Sequence, residues 1–128
     1  MTGCYKGGMK ATLGELTEMA LKFRDERDWK QFHTPKELAI SLVVESAELL
    51  ELMQWQQGAA LEAAVKKKRG EIADELGDVL HSILLLAAEL EIDLGRAFVE
   101  KLRKAEKKYP VEKAKGRAVK YTELEQTD

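Results

Sequence analysis

Residues 42–55, LVVESAELLELMQW, decide the fold. Apolar side chains recur at i, i+3, i+4 and i+7, the spacing of one face of an α-helix. Leu42, Val43, Val44, Ala47, Leu49 and Leu50 are dense enough that the segment reads as a largely buried helix. Glu45 and Glu48 sit inside it, three residues apart, so both project from one face. Two ionised carboxylates beside an apolar surface are costly unless something compensates, and at this spacing they also repel each other. Neither is followed four residues on by Lys or Arg. A divalent cation would answer both problems.

The same pattern returns at residues 71–78, EIADELGD, where Glu71, Asp74, Glu75 and Asp78 form a continuous acidic stripe along a second helix. Leu76, Val79, Leu80 and Ile83 fall on its other faces. Two such helices can bring four carboxylates to one cleft. Glu71 and Asp74 are read as plain surface charges, which leaves Glu45, Glu48, Glu75 and Asp78. Oxygen donors, with a single cysteine and only two histidines in the chain, point to Mg²⁺ or Mn²⁺ rather than zinc. Asp78-x-x-His81 has the spacing of one half of a di-iron motif. A second half is missing, so His81 is read as a structural histidine.

Working outward, Thr12-Leu-Gly-Glu15 has capping-box spacing and starts a helix near residue 13, expected to run to about residue 27. Thr34-Pro35-Lys36-Glu37 starts the next, with Thr as cap, Pro at the first helical position and Glu reaching back. That helix is expected over about 35–54. AALEAAVKKK, after Gly58, reads as a short helix, and Gly70 as a break or kink. A third main helix spans about 71–91, and a fourth, capped by Asp93, ends before Pro110. No segment alternates with period two. The chain therefore reads as all-α: a flexible leader over 1–11, a helical domain over 12–110, and a mostly irregular segment over 111–128. Its four main helices are joined by short connections, which suggests a bundle of antiparallel neighbours. Around Leu84, Leu85 and Leu86 the third helix is apolar on nearly every side, which points to a second layer supplied by another subunit.

With 128 residues, 45% hydrophobic and 34% charged, the composition is that of one soluble globular domain. No apolar run is long enough to span a bilayer, and the start of the chain lacks a signal core, so a cytoplasmic protein with no membrane partner is expected. A net charge of −2 argues against a nucleic-acid binder. The charge is unevenly placed, because residues 96–120 carry ten Lys/Arg against three Glu. An acidic half and a basic segment suit a ligand that carries both metal and phosphate; two solvated helix faces of opposite sign are the plainer alternative.

These residues resemble a known family. Glu45-x-x-Glu48, then Glu75-x-x-Asp78 with residues 49–74 between, is similar to the metal-binding signature of the all-α nucleoside triphosphate pyrophosphohydrolases. That superfamily holds MazG proteins, dimeric dUTPases and phosphoribosyl-ATP pyrophosphatases. FRDERDWKQFHTPKELAISLVVESAELLELMQW, ELGDVL, IDL, KYPVEKAKG and KYTEL resemble, in order, the small MazG-like branch that includes dCTP pyrophosphatase. The resemblance covers about residues 13–124.

It implies hydrolysis of a nucleoside triphosphate to the monophosphate and pyrophosphate, with Glu45, Glu48, Glu75 and Asp78 as Mg²⁺ ligands and catalytic groups. Which of the four would act as general base stays open. It also implies that Trp29, His33, Trp55 and position 82 line the nucleobase site. Flat indole rings suit stacking on a base, although core packing is the commoner use of Trp. Lys101, Lys104 and Lys108 share one face of the fourth helix, and with Lys120 and Tyr121 are candidates to meet the phosphates. Ser82 stands where dCTP-selective relatives often carry an aromatic, and Ala105 where an Asn is common. House-cleaning of the nucleotide pool, with dCTP or a modified dCTP as substrate, is the expected function. A dUTPase-like preference is the nearest rival among enzymes; a non-catalytic nucleotide- or protein-binding helical module, or an oligomerising bundle with structural acids, are the rivals outside them. The resemblance further implies a homotetramer built as a dimer of dimers.

Overall fold

The computed structural model describes residues 8–124. The first seven residues of the expected leader, and the last four of the C-terminal segment, lie outside that range. Every regular element among the described residues is helical. The chain forms two compact units, one up to Ile92 and one from Asp93 onward.

In the first unit α1 (Leu13–Asp25) begins with the full capping box: Thr12 Oγ1 accepts the Glu15 N–H at 3.1 Å, and Glu15 Oε2 accepts the Thr12 N–H at 2.9 Å. It ends two residues earlier than the sequence suggests, because Asp28 takes φ of 53° and turns the chain into a single 3-10 turn, Lys30–Phe32. Asp tolerates this left-handed conformation better than most residues. Here its carbonyl and Oδ2 both accept from Gln31 Nε2, at 3.0 and 2.9 Å.

Helix α2 (Pro35–Glu51) starts with Pro at its first position and Thr34 Oγ1 accepting the Glu37 N–H at 3.2 Å; the return bond from Glu37 is not made. It stops three residues short of the expected end, where Met53 and Gln56 enter turns. Helices α3 (Gly58–Lys67) and α4 (Arg69–Glu89) meet at Lys68, so the break falls there and Gly70 lies inside α4. Lys68 Nζ donates to the Leu52 carbonyl at 3.3 Å and ties this junction to the end of α2.

Helix α4 is the centre of the unit. α2 packs along it most extensively, and α1 and α3 also pack on it. The core is thin: Ala20, Leu38 and Leu85, with Leu21 and Leu86 against them, and Leu84 also buried. The expectation that α2 is largely buried is not met within one chain. Only Leu38 is buried on α2, while Val43 is 68% and Leu50 57% exposed. One helix can press only one stripe against a single neighbour, and α2 has apolar residues on more than one face.

The second unit holds α5 (Leu94–Lys108), with Asp93 accepting the Arg96 N–H at 3.0 Å as its cap. The segment after Pro110 is less irregular than expected: it forms two single turns, α6 (Val111–Ala114) and α7 (Tyr121–Leu124). The Tyr109 hydroxyl accepts the Tyr121 N–H at 3.3 Å, the two rings meet edge to face, and Leu124 is buried.

Candidate active site

The inward stripe of α2 runs Leu38, Leu42, Glu45, Leu49, Leu52, and that of α4 runs Ile72, Glu75, Val79, Ser82, Leu86. Each stripe has one carboxylate at a position that packing would otherwise fill with an aliphatic side chain. The α2–α4 contact therefore brings Glu45 and Glu75 together, both half-buried, with the more exposed Glu48 beside them. One oxygen from each of the three can be chosen so that all lie within 4.8 Å of one another. Adjacent oxygens on an octahedral Mg²⁺ stand about 3.0 Å apart and opposite ones about 4.2 Å, so the three carboxylates would draw together to close on a cation.

The electrostatics carry the same message. Burial, followed by the Glu48 carboxyl and the nearby charges of Asp78 and Glu75, pushes Glu45 from 4.5 to about 7. Burial and Glu48 raise Glu75 in the same direction. Glu45 Oε2 and Glu75 Oε2 are both buried with no hydrogen-bond partner. Buried carboxylate oxygens without donors, on groups that repel one another, are the donor set a hard divalent cation takes. Asp78 is outside this tight cluster and bears on it through its charge. Glu71 and Asp74 are exposed, as expected of surface acids.

Beside the carboxylates is a cavity of about 250 Å³, to which Glu45 and Asp78 both contribute. Trp29, His33 and Ser82, three of the four residues expected at a base site, line it. The Asp28 turn places Trp29, whose N–H donates to the Arg24 carbonyl at 3.1 Å. Phe23 links the aromatic wall, meeting Trp29 and His81 edge to face with ring centres 5.8 Å away in each case. Arg27 covers its outer face at 3.7 Å. Trp55 does not line this cavity and is 85% exposed. Six further residues complete the wall: His81, which the sequence reading took as structural, and Phe23, Arg24, Leu38, Ser41 and Leu85, which it did not assign to a site. A signal for Arg24 was present, since it continues the inward α1 stripe of Leu16 and Ala20 at four-residue spacing.

In the second unit Lys101, Lys104, Lys108 and Lys120 are all exposed. Lys108 lies over the Tyr121 ring, Nζ 4.8 Å from its centre, and both border a basic cavity of about 300 Å³ with Lys107 and Lys113. These residues present ammonium groups to solvent, the arrangement that attracts a polyanion.

Comparison with known proteins gives the family of the chain. Residues 40–124 match the MazG-like family, and the chain belongs to it. It is 39% identical to dCTP pyrophosphatase 1 of Rattus norvegicus, over 95% of this chain and 73% of that protein. It is 35% identical to dCTP pyrophosphatase 1 of Homo sapiens, over 95% and 73%. Among solved structures it resembles a pyrophosphatase from Archaeoglobus fulgidus, with a TM-score of 0.74 and 38% identity over 81% of this chain and 97% of that one. The all-α reading holds, and no helix among the described residues is long and apolar enough to cross a membrane.

Proposed function

We propose that this chain, a nucleotide pyrophosphohydrolase by its relatives, cleaves a nucleoside triphosphate between the α- and β-phosphates. The products are the monophosphate and pyrophosphate, and dCTP or a modified dCTP is the preferred substrate. The observation that carries the reading is the juxtaposition of the Glu45–Glu48–Glu75 cluster with an aromatic cavity of nucleobase size. The relatives' names support the choice of dCTP.

Glu45, Glu48, Glu75 and Asp78 hold Mg²⁺, with Mn²⁺ a workable substitute. When bound, the ion supplies Lewis-acid neutralisation of the triphosphate and a more acidic water. Trp29 stacks on the base, and His33 and Ser82 meet its polar edge. Lys101, Lys104, Lys108, Lys120 and Tyr121 take the phosphate charge, and Trp55 joins a base site only once a second subunit adjoins it. Clearing surplus or damaged nucleotides from the pool is the cellular role that fits such a reaction.

Assembly belongs to the same reading. Ile40, Val43, Val44 and Leu50 leave α2 with an exposed apolar surface that water disfavours. A homotetramer, as the resemblance implies, would cover it. The test of the reaction is pyrophosphate release from a panel of standard and modified NTPs and dNTPs, with Mg²⁺ and with EDTA. Metal-dependent release, fastest with dCTP or a modified dCTP, is expected. Release from none of them sinks the reaction, and release fastest from dUTP corrects the substrate.

A further inference from the structure

Among the cavity's walls, the Arg24 guanidinium is a charge that the proposed reaction leaves unused. Arg24 is 7% exposed, and its side chain 9%. Its Nε and Nη2 both converge on one oxygen, Asp25 Oδ1, at 2.8 and 2.7 Å. Asp25 is exposed, so it holds the guanidinium plane from the solvent side. A guanidinium has five N–H donors, accepts nothing and does not lose its charge. Its Nη1 donors have no acceptor among the described residues. Glu45 and Asp78 line the same cavity, yet neither forms an ion pair with it. In the same wall, His33 Nδ1 is buried without a partner. Buried polar atoms without partners are rare, because desolvation is costly unless a ligand supplies the missing bonds.

We propose that Arg24 reads the nucleobase. Its free N–H fork donates to two adjacent acceptors on the edge of a base stacked against Trp29. This rests on the reaction proposed above. Cytosine presents such a pair as N3 and O2, and guanine as N7 and O6. Uracil and thymine set an N3–H beside each carbonyl, and adenine sets an amino group beside N1 and N7. Each would point a donor at a donor. A phosphate would also suit a guanidinium fork. The cavity it lines also holds the Phe23 and Trp29 rings and the Glu45 and Asp78 carboxylates, which favours a flat uncharged ring over a phosphate. Ser82, small where relatives often carry an aromatic, leaves room for substituents on that ring.

The test compares wild type with Arg24→Met and Arg24→Lys. It measures kcat/KM for dCTP, dGTP, dUTP, dTTP and dATP, and calorimetric binding of dCMP and dUMP in EDTA. Wild type should prefer dCTP, or dGTP if the guanine edge is the one read. In Arg24→Met the preference over dUTP, dTTP and dATP should collapse by about 10- to 100-fold, the discrimination a bidentate Arg contact carries. dCMP binding should weaken while dUMP binding changes little. Lysine keeps the charge but not the planar fork, so Arg24→Lys should lose much of the same discrimination. It also keeps the question answerable if the methionine variant does not fold. An equal loss on every substrate would overturn the proposal and make Arg24 a phosphate contact. An unchanged profile would overturn it too. A wild type that releases no pyrophosphate from any nucleotide fails the reaction itself, whereas an active wild type with an indifferent Arg24 fails only this inference.

Discussion

Glu45 of α2 and Glu75 of α4 face each other across the main helix–helix contact, and each keeps one buried oxygen without a partner. Like charges occupy two positions where aliphatic side chains would pack. The metal-free site is therefore a point of stored repulsion, and its behaviour can be measured.

Glu45→Gln and Glu75→Gln should each lower kcat/KM by at least about 100-fold, since even outer-sphere partners of metal ligands cost 10–100-fold. Neither should unfold the protein. Removing one of two repelling carboxylates should raise the metal-free unfolding midpoint, by about 4 °C if roughly 1 kcal/mol is relieved. Steady-state kinetics and thermal melts in EDTA decide together. A loss of both activity and stability would make these acids structural.

The pH dependence has a definite sign. Burial, with Glu48 beside it, raises the folded Glu45 to about 7 from an ordinary 4.5. Between those values the folded chain keeps a proton that the unfolded chain has released. Its contribution to stability therefore falls as pH rises through this window and levels off above about 7. Glu75 is shifted the same way. In EDTA, the wild-type midpoint minus that of Glu45→Gln should fall from pH 5 to pH 7.5, and Mg²⁺ should reverse the fall at the upper end. A difference that grows with pH would contradict the raised value.

Trp29 is held by the Arg24 carbonyl and braced by Phe23. Trp29→Ala should raise KM for the preferred triphosphate by about tenfold or more, in keeping with ~1–3 kcal/mol of base stacking. Its kcat should change less, because the carboxylates are untouched. Equal losses in kcat alone would place Trp29 outside the base site.

The exposed α2 surface should be an interface. Val43→Asp should shift the light-scattering mass at micromolar concentration toward the monomer, and redden the emission of Trp55, 85% exposed in the single chain. If wild type already scatters as a monomer, the assembly reading fails.

Much of this was legible in the linear order of residues. Helix starts at Thr12, Thr34 and Asp93 are local signals, and each of these side chains accepts a backbone N–H of the first turn, although Glu37 does not return the bond to Thr34. The spacing of Glu45 with Glu48, and of Glu75 with Asp78, marks chemistry because acids interrupt an apolar helical period. Such patterns depend only on neighbours within one or two turns.

Other features depended on which stripe of one helix met which stripe of another. Packing of α2 on α4 selected Glu45 and Glu75 as the half-buried pair, left Glu48 more exposed, and kept Asp78 at the edge of the cluster. The same contact left most of α2's apolar surface to solvent, which a count of hydrophobic residues could not foresee. Arg24 illustrates the limit best. In sequence it is one charge in a charged run near a helix end, FRDERD; folded, it is buried in a wall of the aromatic cavity. Periodicity sets the face of a helix on which a residue falls. Only the pairing of faces in three dimensions sets what that residue touches, because burial and electrostatic coupling come from atoms distant along the chain.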